Sequence, residues 1–234
     1  MYRKLICLIC LMAVFAFVGA AQAALLQNGG FEDPVPFNHW ELFPGSGVTG
    51  IWKWGNVLNS VTINTTDKYE GLACADLNVH EAPGFGGAGV FQGVLVGGGV
   101  PVSISAYMKT LSGIGSNGGI DMVFFATIPS EQVQDPPNIG RVNLNFSSST
   151  PVKTPPYTGP ISGHWDPIDL QGWKFGILNT VTPAGTVFMK FEINANNNPG
   201  EFLFDNVVGT PEPATLLLLG LGALGVLRRK RSKA

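Results

Sequence analysis

Residues 100–109 read VPVSISAYMK, and this stretch decides the fold class. Apolar residues at every second position alternate with Ser103, Ser105, Tyr107 and Lys109. A period of two places the apolar side chains on one face of an extended chain, as in an antiparallel strand with one buried face. The stretch therefore predicts a half-buried β-strand.

The same alternation recurs on both sides of this strand. It is clear at residues 141–146 and 187–194, and weaker strand candidates are residues 57–63, 72–79, 89–96, 120–127, 173–178 and 201–208. Glycine and proline are abundant, with 31 and 17 residues, and between the chain ends no stretch of ten or more residues keeps a helical apolar period without them. About nine or ten short strands separated by turn residues predict an all-β sandwich.

Two of the connections between the strands have their own signatures. Gly97-Gly98-Gly99 joins two strand candidates and predicts a hairpin. Residues 147–166 are rich in Pro, Ser, Thr and Gly and have no apolar period, so they predict a long surface loop. Loops of this length often belong to a binding face.

The N-terminus has the three-part order of a secretory signal peptide. Arg3 and Lys4 precede an apolar run from Leu5 to Val18, and the small-residue triplet Ala21-Gln22-Ala23 follows. We therefore predict a signal helix in residues 1–23, cleavage after Ala23 and export of the protein. A buried N-terminal helix and a lasting membrane anchor are the alternatives.

The C-terminal residues 210–234 also have three parts in a fixed order. These are Pro211-Glu212-Pro213, the apolar stretch Ala214 to Leu227, and a basic end that begins Arg228-Arg229-Lys230-Arg231. The order resembles the PEP-CTERM sorting tail. The resemblance implies recognition and processing by an exosortase in a Gram-negative cell, usually one that makes an exopolysaccharide.

The apolar stretch of this tail predicts a transmembrane helix. Its fourteen residues rise about 21 Å as a helix, and the Arg and Lys stems that follow can extend that length toward the roughly 30 Å hydrocarbon core. The basic end favours the cytoplasmic side. We expect a tether to the inner membrane before processing and a place at the cell surface or in the extracellular matrix afterwards. The alternative is a helix that packs inside the domain.

Residues 24–209, between the two chain ends, are long enough for one domain with a sizeable core. They hold seven basic and fifteen acidic residues, a formal net charge of −8. This charge argues against nucleic acid as a partner, because no basic patch is available to neutralise phosphates. Once residues 1–23 are removed, Cys74 is the remaining cysteine, so we predict no intrachain disulfide and a buried, inert thiol.

Short motifs in the domain resemble carbohydrate-binding-module-like jelly rolls of the galactose-binding-like superfamily. They are LLQNGGFE at residues 25–32, Trp40, Tyr69-Glu70-Gly71 and Asp205-Asn206-Val207, in that order. The resemblance implies a jelly-roll sandwich. It also implies a structural calcium ion at Glu32 and Asp205, with backbone carbonyls and Asp33 or Asp76 as candidates to complete the ligand set. The alternative is that Glu32 and Asp205 are ordinary acids at strand ends.

We predict that the protein is not an enzyme, and we assign no catalytic residue. The three histidines, His39, His80 and His164, are isolated, and no metal-binding, nucleophile-elbow or phosphate-loop motif is present. A pair of catalytic carboxylates, such as Glu81 with Asp166, would carry no sequence label. A secreted glycoside hydrolase therefore stays open as an alternative.

Tryptophan and tyrosine residues mark a candidate ligand surface. Trp52 and Trp54 lie two residues apart and share a face if they lie on a strand, while Tyr157 and Trp165 lie in the predicted long loop. Exposed rings can stack on sugars, and buried rings fill a core. We therefore predict a non-catalytic protein that associates with extracellular polysaccharide or matrix. A structural or adhesive scaffold without a sugar site is the main alternative.

Overall fold

The structure is a computed structural model of the chain. It describes residues 26–35, 37, 39–40, 49–54, 59–80, 87–112, 117–128, 137–148, 150–196 and 199–211. Nearly all of these belong to one compact unit, Ala24–Thr210. The predicted signal helix, the apolar tail and Arg228 to Arg231 lie outside the described residues. No helix among the described residues combines the length and the hydropathy that a membrane span requires.

The described part of the unit is all β and contains twelve strands. They are β1 Thr49–Trp54, β2 Ser60–Asn64, β3 Cys74–Val79, β4 Gly87–Leu95, β5 Pro101–Ser112, β6 Asn117–Phe125, β7 Asn138–Asn145, β8 Val152–Thr154, β9 Ile161–Trp165, β10 Trp173–Val181, β11 Phe188–Asn196 and β12 Gly200–Pro211. Sheet A has the strand order β1-β4-β11-β6-β7-β8, and sheet B has the order β2-β3-β12-β5-β10-β9. The predicted jelly-roll sandwich is confirmed.

The main core lies between the two sheets and follows the predicted alternation. Val102, Ile104, Ala106 and Met108 of β5 are fully buried, and the residues between them are half-buried. Side chains from β4, β6, β7 and β11 of sheet A and from β3 and β12 of sheet B belong to the same cluster. The period of two in the sequence therefore identified the core face of the central strands correctly.

Two predicted connections are wrong. Residues 147–166 contain β8 and β9, which form one edge of each sheet, so they are not a loop without strands. The glycines at 97–99 join β4 of sheet A to β5 of sheet B, so they are a crossover between sheets and not a hairpin. Gly99 has a φ of 77°, a left-handed conformation that favours glycine.

Strand β11 differs from an ordinary half-buried strand because both of its faces are buried. Met189, Phe191 and Ile193 belong to the core, as predicted. Lys190 and Glu192 on the opposite face are also buried. Charged side chains are rarely buried unless they are paired, so this second face is where a functional site is best sought.

Candidate functional site

The outer face of sheet A is the face that points away from the core, and its residues form cross-strand rows. In one row, Phe91 of β4, Glu192 of β11, Asp121 of β6 and Asn143 of β7 are register partners. In the next row, Lys190 of β11 is the partner of Val123, which pairs with Arg141 of β7. Directly opposed residues on one face have Cβ atoms about 5 Å apart. The register therefore brings four charged residues from three strands together.

Arg141 connects the acidic residues of this face. Its Nε lies 3.0 Å from Asp121 Oδ2, its Nη2 also donates to Asp121, and Nη2 lies 3.3 Å from Glu192 Oε2. Asn194 Nδ2 donates to the same Asp121 oxygen at 2.9 Å. Asp121 is only 2% exposed, whereas the Arg141 side chain is 33% exposed. The network thus extends from the interior of the face to solvent, with arginine at its open end.

The remaining buried cation of this face lies over aromatic rings. Lys190 Nζ is 4.4 Å from the ring centroid of Phe91 and 5.2 Å from that of Phe125. The negative faces of these rings attract the ammonium group. Val123, Phe125 and Phe188 form a small apolar cluster beside it. The outer face of sheet A therefore places buried aromatic rings beside polar groups.

Burial raises the pKa of the Asp121 carboxyl, and its bonds with Arg141 and Asn194 oppose that rise. Desolvation penalises the charged form, so the carboxylate depends on the guanidinium for its charge. Both carboxylates of the network are already bonded to Arg141. This arrangement is suited to holding a rigid polar surface rather than to proton transfer.

The sequence did not reveal this network. Arg141, Lys190 and Glu192 stand at polar positions of clear alternations, and that was the available signal. It identified the face but not the partners, because strand register depends on pairing between segments up to 73 residues apart, as between Asp121 and Asn194.

The predicted aromatic pair lies on β1, the edge strand of sheet A. Trp52 is the register partner of Gly89, which is the partner of Asn194. Trp54 is the partner of Gly87. The two tryptophans therefore lie on a strand, which is the condition for sharing a face, and the backbone register assigns position 52 to the cross-strand row of Asn194.

Tyr157 is placed in the core and not on a ligand surface. The residue is 5% exposed, and its hydroxyl contacts Thr180 and lies 2.8 Å from the Val181 carbonyl oxygen. The ring packs beside Phe124 at 5.7 Å between centroids. These contacts remove Tyr157 from the predicted surface, because neither its ring nor its hydroxyl is available to a ligand.

Trp165 is half-buried on β9, at the edge of sheet B. Its indole Nε1 donates to the carbonyl oxygen of Asn145 at 3.0 Å, and its ring contacts Phe146 edge to face. Asn145 belongs to β7, four strands from β1 in sheet A. At a strand spacing of about 4.8 Å, Trp165 and the β1 tryptophans are therefore separated by about 19 Å of sheet.

Glu32 and Asp205 are brought to one loop, residues 69–73. Asp205 Oδ2 accepts from the backbone N–H groups of Tyr69 and Glu70 at 3.0 and 3.1 Å. Glu32 accepts from Leu72 N at 2.8 Å and from Ala73 N at 3.2 Å. Together the two carboxylates accept hydrogen bonds from four of the five backbone amides of residues 69–73, all but that of Gly71.

Gly71 is required inside this loop. Its φ is 64°, and a Cβ at this position would collide with the Glu32 carboxylate. Asp205 is fully buried, and its pKa is raised by burial and, to a smaller extent, by the charge of Glu32. Three backbone amides, including that of Asn206 at 2.7 Å, oppose the rise.

The described residues do not by themselves make a calcium site. Calcium takes six to eight oxygen ligands, and no cluster of three or more His, Cys, Asp or Glu side chains suited to a metal occurs among the described residues. Burial raises the pKa of Asp76, and the charge of the nearby Glu201 raises it further. Calcium at Glu32 and Asp205 therefore stays a prediction, and no function is derived from it.

Cys74 is buried at the centre of a small cluster with Trp173 and Leu203. Burial, followed by the charges of nearby aspartates, raises the pKa of its thiol to about 12. A thiol with this pKa is not a nucleophile at neutral pH. The prediction that Cys74 is buried is confirmed.

Comparison with protein families identifies the C-terminus. Residues 210–231 match the PEP-CTERM protein-sorting motif. Pro211 ends β12, and Glu212 and Pro213 lie outside the described residues. The chain therefore carries a sorting signal of this kind behind a jelly-roll sandwich. No curated protein matches the chain in sequence.

Several solved structures are similar in backbone course. The xylan-binding domain CBM22-1 of Paenibacillus barcinonensis Xyn10C aligns with a TM-score of 0.44 and 12% identity, over 82% of this chain and 96% of that domain. The module TmCBM61, solved with β-1,4-galactotriose, gives 0.43 and 11%, over 81% and 99%. The enzymatically active domain of bacteriophage CBA120 tailspike protein 4 gives 0.47 and 13%, over 80% of this chain but 21% of the tailspike chain.

Proposed function

We propose that the chain is an exported protein of a Gram-negative cell envelope that an exosortase sorts. Its signal peptide, residues 1–23, directs export, and residues 210–234 hold the protein at the inner membrane until processing. The match of residues 210–231 to the sorting motif is the observation that supports this proposal. The acidic domain then reaches the cell surface or the extracellular matrix.

Replacing Pro211, Glu212 and Pro213 by alanine is expected to separate export from sorting. The signal peptide remains, so the protein still crosses the inner membrane, but the tail is no longer recognised and the unprocessed form accumulates in the membrane fraction. Immunoblots of membrane, surface and medium fractions measure this. Thr154→Ala, at an exposed position of β8 outside the tail, is the matched control. Wild-type distribution of the triple variant would contradict the proposal.

We further propose that the sandwich binds polysaccharide without catalysis. The outer face of sheet A supports this proposal because it holds aromatic rings, an arginine and amide groups in continuous cross-strand rows. Trp52 and Trp54 lie on the edge strand of the same sheet, where a bound chain can leave the face. Asp121 and Glu192 both bind Arg141, so neither is presented as a free acid for glycoside hydrolysis.

One observation favours a scaffold without a sugar site. Asp121, Lys190 and Asn194 are each 6% exposed or less, and their described contacts are internal to the sheet. Such a network can serve to specify strand register alone. The binding experiment separates the two functions.

Trp52→Ala and Trp54→Ala are each expected to weaken polysaccharide binding by about fivefold, because a stacked aromatic ring contributes on the order of 1 kcal/mol. Affinity electrophoresis of the exported protein, as purified from the producing cells, measures the loss. Leu170→Ala, which removes a fully exposed apolar side chain near sheet B, is the control. Unchanged binding by both tryptophan variants would remove the two tryptophans from the site. No binding of wild type to any polysaccharide in a broad panel would leave the scaffold function.

A further inference from the structure

We propose that Tyr69 and Tyr107 form a modification site, at which a peroxide oxidant joins the two phenol rings by a carbon–carbon bond. The product is an intramolecular dityrosine that ties the 69–73 loop to strand β5. This site is independent of the proposed polysaccharide binding, because Tyr107 belongs to sheet B and Tyr69 stacks on it. The site is defined by the stacking of the rings, the bond between their hydroxyls and their access to solvent.

The two rings are stacked face to face at an unusually short separation. Their centroids are 3.5 Å apart, and their planes make an angle of 13°. Aromatic pairs in proteins more often lie offset or edge to face, with centroids about 4.5 to 7 Å apart. A bond between two aromatic carbons forms through the orbitals that stand perpendicular to the rings. Face-to-face contact is therefore the geometry in which two tyrosyl radicals can couple.

The hydroxyl groups determine which carbons face each other. A hydrogen bond with the Tyr69 side chain raises the pKa of Tyr107 to about 12, and burial and nearby negative charges add to the rise. Two nearly parallel rings with bonded hydroxyls point in the same direction, so the carbons ortho to the oxygens lie over one another. The unpaired electron of a phenoxyl radical resides on the oxygen and on the ortho and para carbons, and Cβ occupies the para position. The ortho carbons are therefore the ones that couple.

Both rings are accessible to a small oxidant, whereas the third described tyrosine and the described cysteine are not. Tyr69 and Tyr107 are half-buried, but Tyr157 is only 5% exposed and packs beside Phe124. Cys74 is fully buried, and its pKa, raised by burial to about 12, keeps the thiol protonated at neutral pH. A buried, protonated thiol reacts slowly with peroxide. Among the described tyrosines, this pair alone combines access to solvent with a tyrosine neighbour.

The coupling balances with hydrogen peroxide as the oxidant, activated by a haem peroxidase. Each phenol loses one electron and its hydroxyl proton, and the two radicals pair to form the bond between their ortho carbons. Each of these carbons then releases its hydrogen as a proton, and each ring oxygen takes up a proton, which restores two phenols. The protein thus loses two hydrogen atoms, and the peroxide is reduced to two water molecules. The carboxylates of Glu70 and Asp166, whose charges act on Tyr107, can accept the released protons.

The crosslink supplies a covalent tie that cysteine does not provide in the described part of the chain, where Cys74 is free. The 69–73 loop is otherwise held by hydrogen bonds to Glu32 and Asp205. A bond between Tyr69 and Tyr107 closes a loop of the chain and lowers the entropy of the unfolded state, as a disulfide does. We expect oxidation to raise the melting temperature by about 5 to 10 °C. A thiol reductant should not reverse this rise.

Oxidation of the purified protein with hydrogen peroxide and a haem peroxidase tests the site. Both tyrosines lie in the tryptic peptide 69–109, so the expected product is this peptide lighter by two hydrogen atoms, with dityrosine fluorescence in the monomer. A second protease that cleaves after Glu81 should leave the two halves of the peptide joined. Free tyrosine in a parallel reaction verifies that the oxidant is active. Coupling of free tyrosine without coupling in the protein monomer would overturn the proposal.

Tyr69→Phe and Tyr107→Phe test the named pair, because each variant keeps the ring and its packing but cannot form a phenoxyl radical. Each should abolish the dityrosine fluorescence of the monomer and the rise in melting temperature on oxidation. Tyr157→Phe is the matched control and should retain the fluorescence and the lighter peptide, since its hydroxyl contacts Thr180 and no tyrosine among its described contacts. Coupling that persists in either of the first two variants, or that joins only peptides of different molecules, would assign the bond elsewhere and overturn the proposal.

Discussion

Replacing Arg141 by methionine is expected to lower the free energy of unfolding by about 3 kcal/mol at neutral pH. The variant leaves Asp121 and Glu192 side by side without the guanidinium that both of them bind. Removing one member of a buried ion pair typically costs about 3 to 5 kcal/mol, and the lower value applies because the Arg141 side chain is one-third exposed. Urea denaturation monitored by tryptophan fluorescence measures the change.

The same variant should regain stability in acid, and this sign identifies the cause. Burial raises the pKa of Asp121, and Arg141 opposes that rise, so its loss raises the pKa further. A carboxyl whose pKa is higher in the folded state than in the unfolded state favours folding at a pH below both pKa values. It loses this contribution as the pH rises through the folded-state pKa. The deficit at about pH 5 should therefore be smaller than at neutral pH.

Lys153→Met is the matched control for Arg141→Met. Lys153 is exposed on the neighbouring strand β8, and its described partner is a backbone carbonyl. Its replacement should change stability by less than about 0.5 kcal/mol at either pH. An equal deficit of the Arg141 variant at both pH values would show that lost packing, and not the unpaired carboxylates, is responsible.

The extent to which the sequence predicts this protein depends on how local each signal is. Strand β5 and the core face of β11 follow from alternation within about ten residues, and that signal is read directly from the chain. Strand β8 has three exposed residues between prolines, so it exists only because β7 pairs with it. Propensity cannot reveal a strand of this kind, because its stability comes from tertiary pairing.

The site shows the same division. Glu32 and Asp205 were nominated through a resemblance, and the structure places both against the 69–73 loop. Tyr157 was nominated from its place in a Pro-rich segment, but tertiary packing buries it under sheet A. The sequence does not predict Arg141 as a site residue, because its partner Asp121 lies 20 residues away on another strand and neither local sequence indicates the pairing.

Replacing Asp205 by alanine is expected to cost about 3 to 5 kcal/mol of unfolding free energy. The change leaves the backbone amides of Tyr69, Glu70 and Asn206 without their acceptor at a fully buried position. The 69–73 loop should loosen, and with it the stacking of Tyr69 on Tyr107, whose ring centroids are 3.5 Å apart. Thermal and urea denaturation, with near-ultraviolet circular dichroism of the tyrosines, measure both effects.

Asp205→Asn separates the acceptor from the charge. The asparagine amide retains one oxygen that can accept from the loop. Asp205→Asn should therefore lose about half as much unfolding free energy as Asp205→Ala, or less. Burial raises the pKa of Asp205, so lowering the pH through that pKa stabilises wild type but not the asparagine variant. The advantage of wild type over Asp205→Asn should therefore grow in acid. Asp166→Ala, at an acid that is half exposed beside His164, should change stability by less than about 0.5 kcal/mol.

A chelator added in the same thermal denaturation experiments tests whether backbone amides alone, or a bound cation as well, neutralise the Glu32 and Asp205 carboxylates. If the amide donors alone neutralise them, EDTA leaves the melting temperature of wild type unchanged, because the five hydrogen bonds from backbone amides to the two carboxylates persist without a cation. A chelator-dependent fall in wild type that is absent from Asp205→Asn would instead demonstrate a bound cation, because a ligand that binds only the folded state stabilises it by mass action. The loop would then be held by an ion as well as by hydrogen bonds. The loss of unfolding free energy in Asp205→Ala would exceed the range expected from the lost amide hydrogen bonds alone.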